Sequence, residues 1–482
     1  YADTRSLAVT RIAFSLLIII DLLIRSTFLE AHYTDNGIMP IEALVKYSWK
    51  AGYFSLHILS GEFSYQVVLF VLNAIFAIFL LLGFKTRFST IVCTIFMISL
   101  HNRNPFLLQG GDTVFRCLMF WAIFMPWGLR FSVDSYLKSD KKEESKKIFS
   151  IGALAFMLQI AFIYYFTAVH KYAPEWKVKY TAIYYALSLD QFRYFLGNYL
   201  YKFPDLMKVL TFCIWWIEYL VAFILFFPLK NSYFRVIGIL LISLFHIGLI
   251  FTMRLGLFPW ISIASMLIFI PSLLWLINPN IERRLDLIFL YISKYFRKFS
   301  VLKFDYIKLN WLANLKYLEI ILVVFLLIYV FWWNLKDIRK YSIKMPKQLY
   351  KITEVTRLDQ KWKMFAPYPL KSSSWMVLAG TDKDGKAIDL FDGGDILSWE
   401  KPESFYNYYK IYRIRKLARN LTRTRNRGYL KYYSRYLCDK WNSDKSNKSI
   451  TKVEIFLMSE KNIPNYNKMS INKKQLYQYI CF

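Results

Sequence analysis

The chain has 482 residues and a formal charge of +30; 56% of its residues are hydrophobic and 19% aromatic. Apolar runs long enough to cross a bilayer recur along most of it, which excludes a soluble globular protein. The Lys and Arg surplus lies beside those runs, where it meets anionic lipid headgroups, so no nucleic-acid partner is expected.

A spanning helix needs about 20 apolar residues for a hydrocarbon core of about 30 Å. In chain order the candidate spans are 9–28, 66–84, 88–101, 114–130, 149–169, 209–228, 234–253, 257–277 and 317–335. The third is short and reads as tilted or partly re-entrant. Segment 41–59 is only weakly apolar and reads as interfacial. Trp and Tyr crowd the span ends, as an aromatic belt requires. The opening residues carry no short, cleavable-looking signal segment, so the first span is expected to stay in the membrane.

Basic residues alternate by loop. Lys85 and Arg87 follow the second span, and Lys138, Lys141, Lys142, Lys146 and Lys147 the fourth. Lys230 and Arg235 flank the next tight turn, and Arg283, Arg284, Lys294, Arg297, Lys298 and Lys303 follow the eighth span. All fall on one side if the N-terminus is cytoplasmic. The opposite loops carry Glu30, Asp35, Glu42, Glu62, Asp112, Glu175 and Asp190. That places Lys171 and the C-terminus outside the cytoplasm. Abundant Ile, Lys, Asn and Tyr point to an AT-rich bacterial genome, hence a bacterial inner membrane.

The expected architecture is therefore an all-α polytopic membrane domain, residues 1–336, followed by a small extracytoplasmic α+β domain, residues 337–482. The second part holds 30 Lys and Arg against 14 Asp and Glu. Segments 375–380 and 387–391 read as strands around the turn Asp384-Gly385, and 451–458 as a third. Segments 404–420 and 428–441 read as helices, the latter with a stripe of Leu430, Tyr433, Leu437 and Trp441. Cys93, Cys117 and Cys213 lie in apolar runs and read as core residues; Cys438 and Cys481 are able to pair in an oxidising compartment.

One stretch at a span end invites chemistry. Lys171 sits near the hydrocarbon boundary, where desolvation favours a neutral amine usable as a general base. The same side chain also suits a headgroup anchor. His170 precedes it. Asp112, presented by Gly110 and Gly111, reads either as support for that lysine or as the N-cap of the fourth span. His246 and Glu218 lie within apolar runs and are candidate partners for each other. Arg254 precedes a helix-breaking segment ending in Pro259. Arg11 and Asp21 share a face of the first span and read as structural. No His-Glu-x-x-His, Cys-x-x-Cys, phosphate-binding loop or nucleophile elbow is present, so no metal is expected.

The order of several short segments resembles the HTTM family, the transmembrane module shared by vitamin K-dependent gamma-carboxylase and many bacterial homologues. Arg11-Ile12 with Asp21 resembles its first span, and His32-Tyr33 with Gly37 and Pro40 its His-Tyr-x-x-x-Gly-x-x-Pro segment. Asn104-Pro105 with Gly110-Gly111-Asp112, then Pro126-Trp127-Gly128 with Ser132-Val133-Asp134, resemble the next block. Lys171 with Trp176 and Tyr184, and His246 with Gly256-Leu257-Phe258-Pro259, are similar to the two that follow. Trp362-Lys363-Met364-Phe365-Ala366-Pro367 resembles a segment of the bacterial members' tails.

In the carboxylase, a lysine in the segment resembling Lys171 deprotonates vitamin K hydroquinone; oxygen then generates a stronger alkoxide base, and a glutamate gamma carbon is carboxylated. The resemblance implies Lys171 as base, a reduced quinone (vitamin K hydroquinone or menaquinol) as cosubstrate, and a peptide or protein as possible substrate. His170 and Asp112 are expected to support the lysine, and His246, Arg254 and Trp176 to line the cofactor pocket. The carboxylase has a histidine near the position of Gly111 and Asp112, and a larger lumenal region. What transfers is therefore a carboxylase-like, quinol-linked proton abstraction in the membrane. The alternative is a non-enzymatic protein assisting maturation or export of a peptide, docked on a basic surface that includes Arg413, Arg415 and Arg419.

Overall fold

The computed structural model describes residues 1–137, 146–297, 312–338, 343–391, 393, 396–444, 449–462 and 470–481. Lys138, Lys141, Lys142, Lys298 and Lys303 lie outside the described residues.

Among the described residues, six helices are long and apolar enough to cross a bilayer: Thr4–Ser26, Phe63–Leu82, Ile151–His170, Pro204–Ile224, Asn231–Thr252 and Lys316–Leu335. At about 1.5 Å per residue each reaches about 30 Å. Their starts follow local chemistry. The Asp3 carboxylate accepts the Arg5 N–H at 2.9 Å, Ser150 Oγ accepts the Ala153 N–H at 3.3 Å, and Pro204 begins its helix, where a missing N–H loses nothing.

The other three expected spans differ in kind. Segment 88–101 lies in a helix, Thr86–Arg103, whose buried face carries Ser89, Thr90, Thr94, Ser99, His101, Asn102 and Arg103. It packs inside the bundle, and polar partners there replace the hydropathy a lipid-facing helix needs. Segment 114–130 overlaps the 13-residue helix Gly110–Ala122, which starts four residues earlier and ends eight residues sooner. Segment 257–277 is broken into Phe258–Met266, a tight turn Leu267–Phe269, and Ser272–Ile277, with Pro271 at the second break. Segment 41–59 holds only the short helix Ile41–Tyr47 and a turn at Leu56–Ile58.

The basic loops gather at one end. Glu282 accepts Arg5 at 2.6 Å and Arg130 at 2.7 Å, and the ring of Phe84 lies 5.0 Å from that of Phe296. Asp134 accepts the Lys85 and Thr86 N–H groups at 2.8 and 2.7 Å, while Arg235 reaches the Tyr1 carbonyl at 3.1 Å. Gly83 turns this end at φ +67°, and an added Cβ would meet the Ser132 Cβ at 2.4 Å. Arg11 lies wholly buried behind it, donating to the carbonyls of Trp127 at 3.0 Å and of Phe131. Its role is structural, as its position in the first span suggests.

At the opposite end sits the tail. Its sheet is antiparallel with strands in the order Ala387–Asp389, Ser372–Asp382, Ile450–Lys461, Asn472–Ile480. The expected hairpin is present: Asp382 accepts the N–H groups of Asp384 at 3.0 Å and Lys386 at 2.8 Å, with Gly385 at φ +82°. The fourth strand is an addition to the sequence reading. Its Lys473, Lys474 and Gln475 suit an exposed edge and give no apolar alternation. The expected helix 404–420 is two, Phe405–Tyr409 and Tyr412–Leu421, broken where Lys410 takes φ +57°. Leu430–Ser443 packs on the sheet through Leu430 and Tyr433, and Cys438 and Cys481 form a disulfide. Of the other cysteines, Cys93 and Cys117 are buried as expected, whereas Cys213 is exposed on the outside of its helix.

The tail is seated firmly on the bundle. Gln159 donates to Gln360 at 2.8 Å, Arg116 to the Arg357 carbonyl at 2.7 Å, and Asn420 to the Phe106 carbonyl at 2.6 Å. Arg413 enters a buried network in which Asp21 and Asp112 face Arg25 and Arg413.

Candidate functional site

The Ile151–His170 helix ends at Lys171, whose N–H closes the last turn on the Ala168 carbonyl at 3.1 Å. The side chain turns inward and is ion-paired to Glu218, in the Pro204–Ile224 helix. Both residues are 3% exposed, so both charges are largely removed from bulk solvent. An ammonium buried alone would be costly; a carboxylate and an aromatic face offset that cost. The aromatic face is Trp176, its ring centroid 4.2 Å from Lys171 Nζ. Trp176 is itself fixed by its indole N–H, which donates to the Phe365 carbonyl at 3.0 Å. Phe365 belongs to the Trp362–Pro367 segment of the tail, so the tail positions the ring that faces the lysine.

A second polar station lies nearby. His246, fully buried in the Asn231–Thr252 helix, shares a hydrogen bond with the Tyr164 hydroxyl through Nε2 at 2.8 Å. Its Nδ1 is buried with no hydrogen-bond partner among the described residues. The ring stands 5.4 Å from that of Phe258.

Lys171, Glu218, Trp176, Tyr164 and His246 all line one cavity of about 720 Å³. Its middle is apolar. Along one side it runs between the Pro204–Ile224 and Asn231–Thr252 helices, where the lining residues Cys213 and Leu244 are exposed. At its other end the walls are tail residues: Lys363 to Ala366, Tyr409, and Arg415, Lys416 and Arg419.

Of the expected site residues, Lys171, Trp176 and His246 come together; His170, Asp112 and Arg254 do not join them. Asp112 faces the next compartment. It is not the N-cap of its helix but the third residue in, closing a capping box by accepting the Gln109 N–H at 2.8 Å. Its oxygens are taken by Arg25 at 2.7 Å and Arg413 at 3.2 Å, leaving none to steady Lys171. His170 is buried but does not line the cavity; the charges acting on it are tail residues Lys363, Asp337 and Lys361. Arg254 contributes through its backbone, its N–H donating to the Phe192 carbonyl at 2.7 Å and its carbonyl accepting Arg415 at 3.2 Å, while its guanidinium lies 4.6 Å from the Tyr194 ring. Glu218 and His246 are not each other's partners, because Lys171 claims the one and Tyr164 the other.

Glu218 announced itself as an ionisable group in an apolar run. Tyr164 did not, since a tyrosine in a span reads as packing. The tail's contribution rests on a fold-back that no local pattern reveals. The expected docking surface also changes: Arg413 is buried in the Asp21 and Asp112 network, and Arg415 donates to the carbonyls of Gln191 and Arg254. Only Arg419 of the three is exposed.

Fold and site together define a polytopic helical membrane protein with a buried lysine–carboxylate pair in a cavity between its helices and its tail. The family model described as the HTTM domain matches residues 1–274, more than half of the chain, and the chain belongs to the HTTM family. No curated protein and no solved structure matches it.

Proposed function

We propose that this chain is an integral membrane enzyme of the vitamin K-dependent gamma-carboxylase-like kind, in which Lys171 removes a proton from an amphiphile held in the cavity. One observation carries the reading: Lys171 is buried, faces a carboxylate able to take its proton, and lines a largely apolar cavity among membrane-length helices. HTTM domains occur in carboxylase-like proteins of that kind, which supports the class of chemistry.

A reduced quinone fits the residues present. The cavity wall is largely apolar, and two polar stations, Lys171 with Glu218 and His246 with Tyr164, offer hydrogen-bonding groups to a ring with two hydroxyls. Bound there, a quinol would supply an acidic O–H and the two electrons of its oxidation. Burial disfavours both charges of the pair, so the lysine proton can pass to Glu218 and leave an amine beside a neutral acid. That amine accepts the substrate proton, and Trp176 stabilises the ammonium that results. The His246 Nδ1 gains the hydrogen bond it lacks.

We place the tail outside the cytoplasm, at the end opposite the basic loops. The Cys438–Cys481 disulfide fits that assignment, since such bonds persist in oxidising compartments.

The test uses the full chain in lipid nanodiscs with menaquinol or vitamin K hydroquinone. A bimane label on the exposed Cys213 reports quinone binding by quenching, and chromatography follows consumption of the quinol under air. The expected result is quenching in wild type and in Lys171→Met, with consumption lost in Lys171→Met and reduced in Glu218→Gln. Equal consumption by wild type and Lys171→Met would refute the reading.

A further inference from the structure

The charges lining the cavity do not balance. Among the described residues its walls carry five cationic side chains, Lys171, Lys363, Arg415, Lys416 and Arg419, and one carboxylate, Glu218. Glu218 is committed to Lys171, and Lys363 lies 3.9 Å from Asp337. The other three stand on a single tail helix, Tyr412–Leu421, which has no acidic residue.

Their surroundings separate them. Arg415 is held by two backbone carbonyls and stacks 4.1 Å from the Phe192 ring, so it forms part of the wall. Lys416 and Arg419 are three residues apart and so occupy one face of the helix. Neither side chain has a hydrogen bond or ion pair to any described residue. Half-buried Lys416 is pushed down to about 8 by burial and by Arg419, Arg423 and Arg415. Asp112 acts on Lys416 in the opposite sense but is already paired with Arg25 and Arg413. Like charges held against an apolar wall, with no carboxylate in contact, are unfavourable unless a ligand supplies one.

We propose that Lys416 and Arg419 form a binding site for the acidic head of a lipid, a carboxylate or a phosphate, whose apolar chain lies along the cavity toward the Pro204–Ile224 and Asn231–Thr252 helices. The cavity has the required polarity along its length: cationic under the tail, apolar between the helices, and reaching the exposed residues Cys213 and Leu244. Such a ligand enters from the membrane with its chain in lipid and its head led to the tail. The site does not depend on Lys171 acting as a base.

The experiment uses the full chain in phosphatidylcholine nanodiscs, with bimane on Cys213 as reporter. Three probes are titrated: oleate, dioleoyl phosphatidate, and dioleoylglycerol, which has the same chains and no acid. Both acidic probes, or one of them, should bind at least tenfold more tightly than dioleoylglycerol, and the stronger of the two identifies the head. The double variant Lys416→Gln/Arg419→Gln should lose that preference while binding dioleoylglycerol as before. Lys171→Met should retain it, which separates this site from the proposed base. Arg423→Gln, exposed and off the cavity wall, should change binding less than twofold. Acid preference that survives in the double variant, that is lost in Lys171→Met, or that falls equally in Arg423→Gln would overturn the proposal.

Discussion

Replacing Arg413 with methionine tests whether the tail is locked to the bundle by charge. The wild-type network is neutral, with Asp21 and Asp112 facing Arg25 and Arg413, and Arg413 is 1% exposed. Arg413→Met keeps most of the side-chain length and leaves two buried carboxylates to share Arg25. Removing one partner of a buried ion pair costs about 3–5 kcal/mol. At tenfold per 1.4 kcal/mol, the population with the tail undocked rises by about 10²–10³. Limited proteolysis of the tail in detergent reads that population when opening is fast relative to cleavage. The companion variant Asp21→Asn/Arg413→Met restores neutrality by leaving only Arg25 with Asp112, so the double variant should be more resistant than the Arg413 single variant. The two substitutions should couple by at least about 1 kcal/mol. An Arg413→Met protein within about 0.5 kcal/mol of wild type, or strict additivity of the two changes, would refute the charge-lock reasoning.

Gly83→Ala should destabilise the bundle by at least about 2 kcal/mol, since it places a side chain at φ +67° and drives its Cβ against Ser132; thermal unfolding in detergent measures the loss. Reduction of the Cys438–Cys481 bond, which closes a separation of 43 residues, should lower the stability of the tail by about 3–4 kcal/mol, read as a lower melting temperature with reductant that Cys438→Ala/Cys481→Ala reproduces. In intact cells, a membrane-impermeant maleimide should modify a cysteine introduced at exposed Lys431 but not one introduced at Lys230; the reverse pattern would invert the proposed orientation.

Length and apolarity made six of the spans legible, because a lipid-facing helix has little choice of composition. The helices buried inside the bundle were harder to read for the opposite reason. Thr86–Arg103 is buried on polar and apolar sides alike and so lacks the hydropathy of a lipid-facing span, while Gly110–Ala122 has only 13 residues. Lys171 stood out by the cost of its position, and Trp176 and His246 do line its cavity. Asp112 misled, since a turn of two glycines before an acid looks the same whether the acid faces a substrate or two arginines from distant segments. The tail hairpin was legible from Asp384-Gly385, whereas the edge strand Asn472–Ile480 carries the lysines that keep an edge from pairing and therefore hides its own pattern.

Phe365 gives the protein an architectural dependence. Its carbonyl holds Trp176 from across the molecule, and its side chain is part of the cavity wall, although it lies about ninety residues past the stretch that defines the family. A version cut back to that stretch would keep the lysine and its carboxylate yet lose one wall of the chamber around them. The membrane module and its appended domain are in this respect one machine part, and neither half is expected to work when supplied without the other.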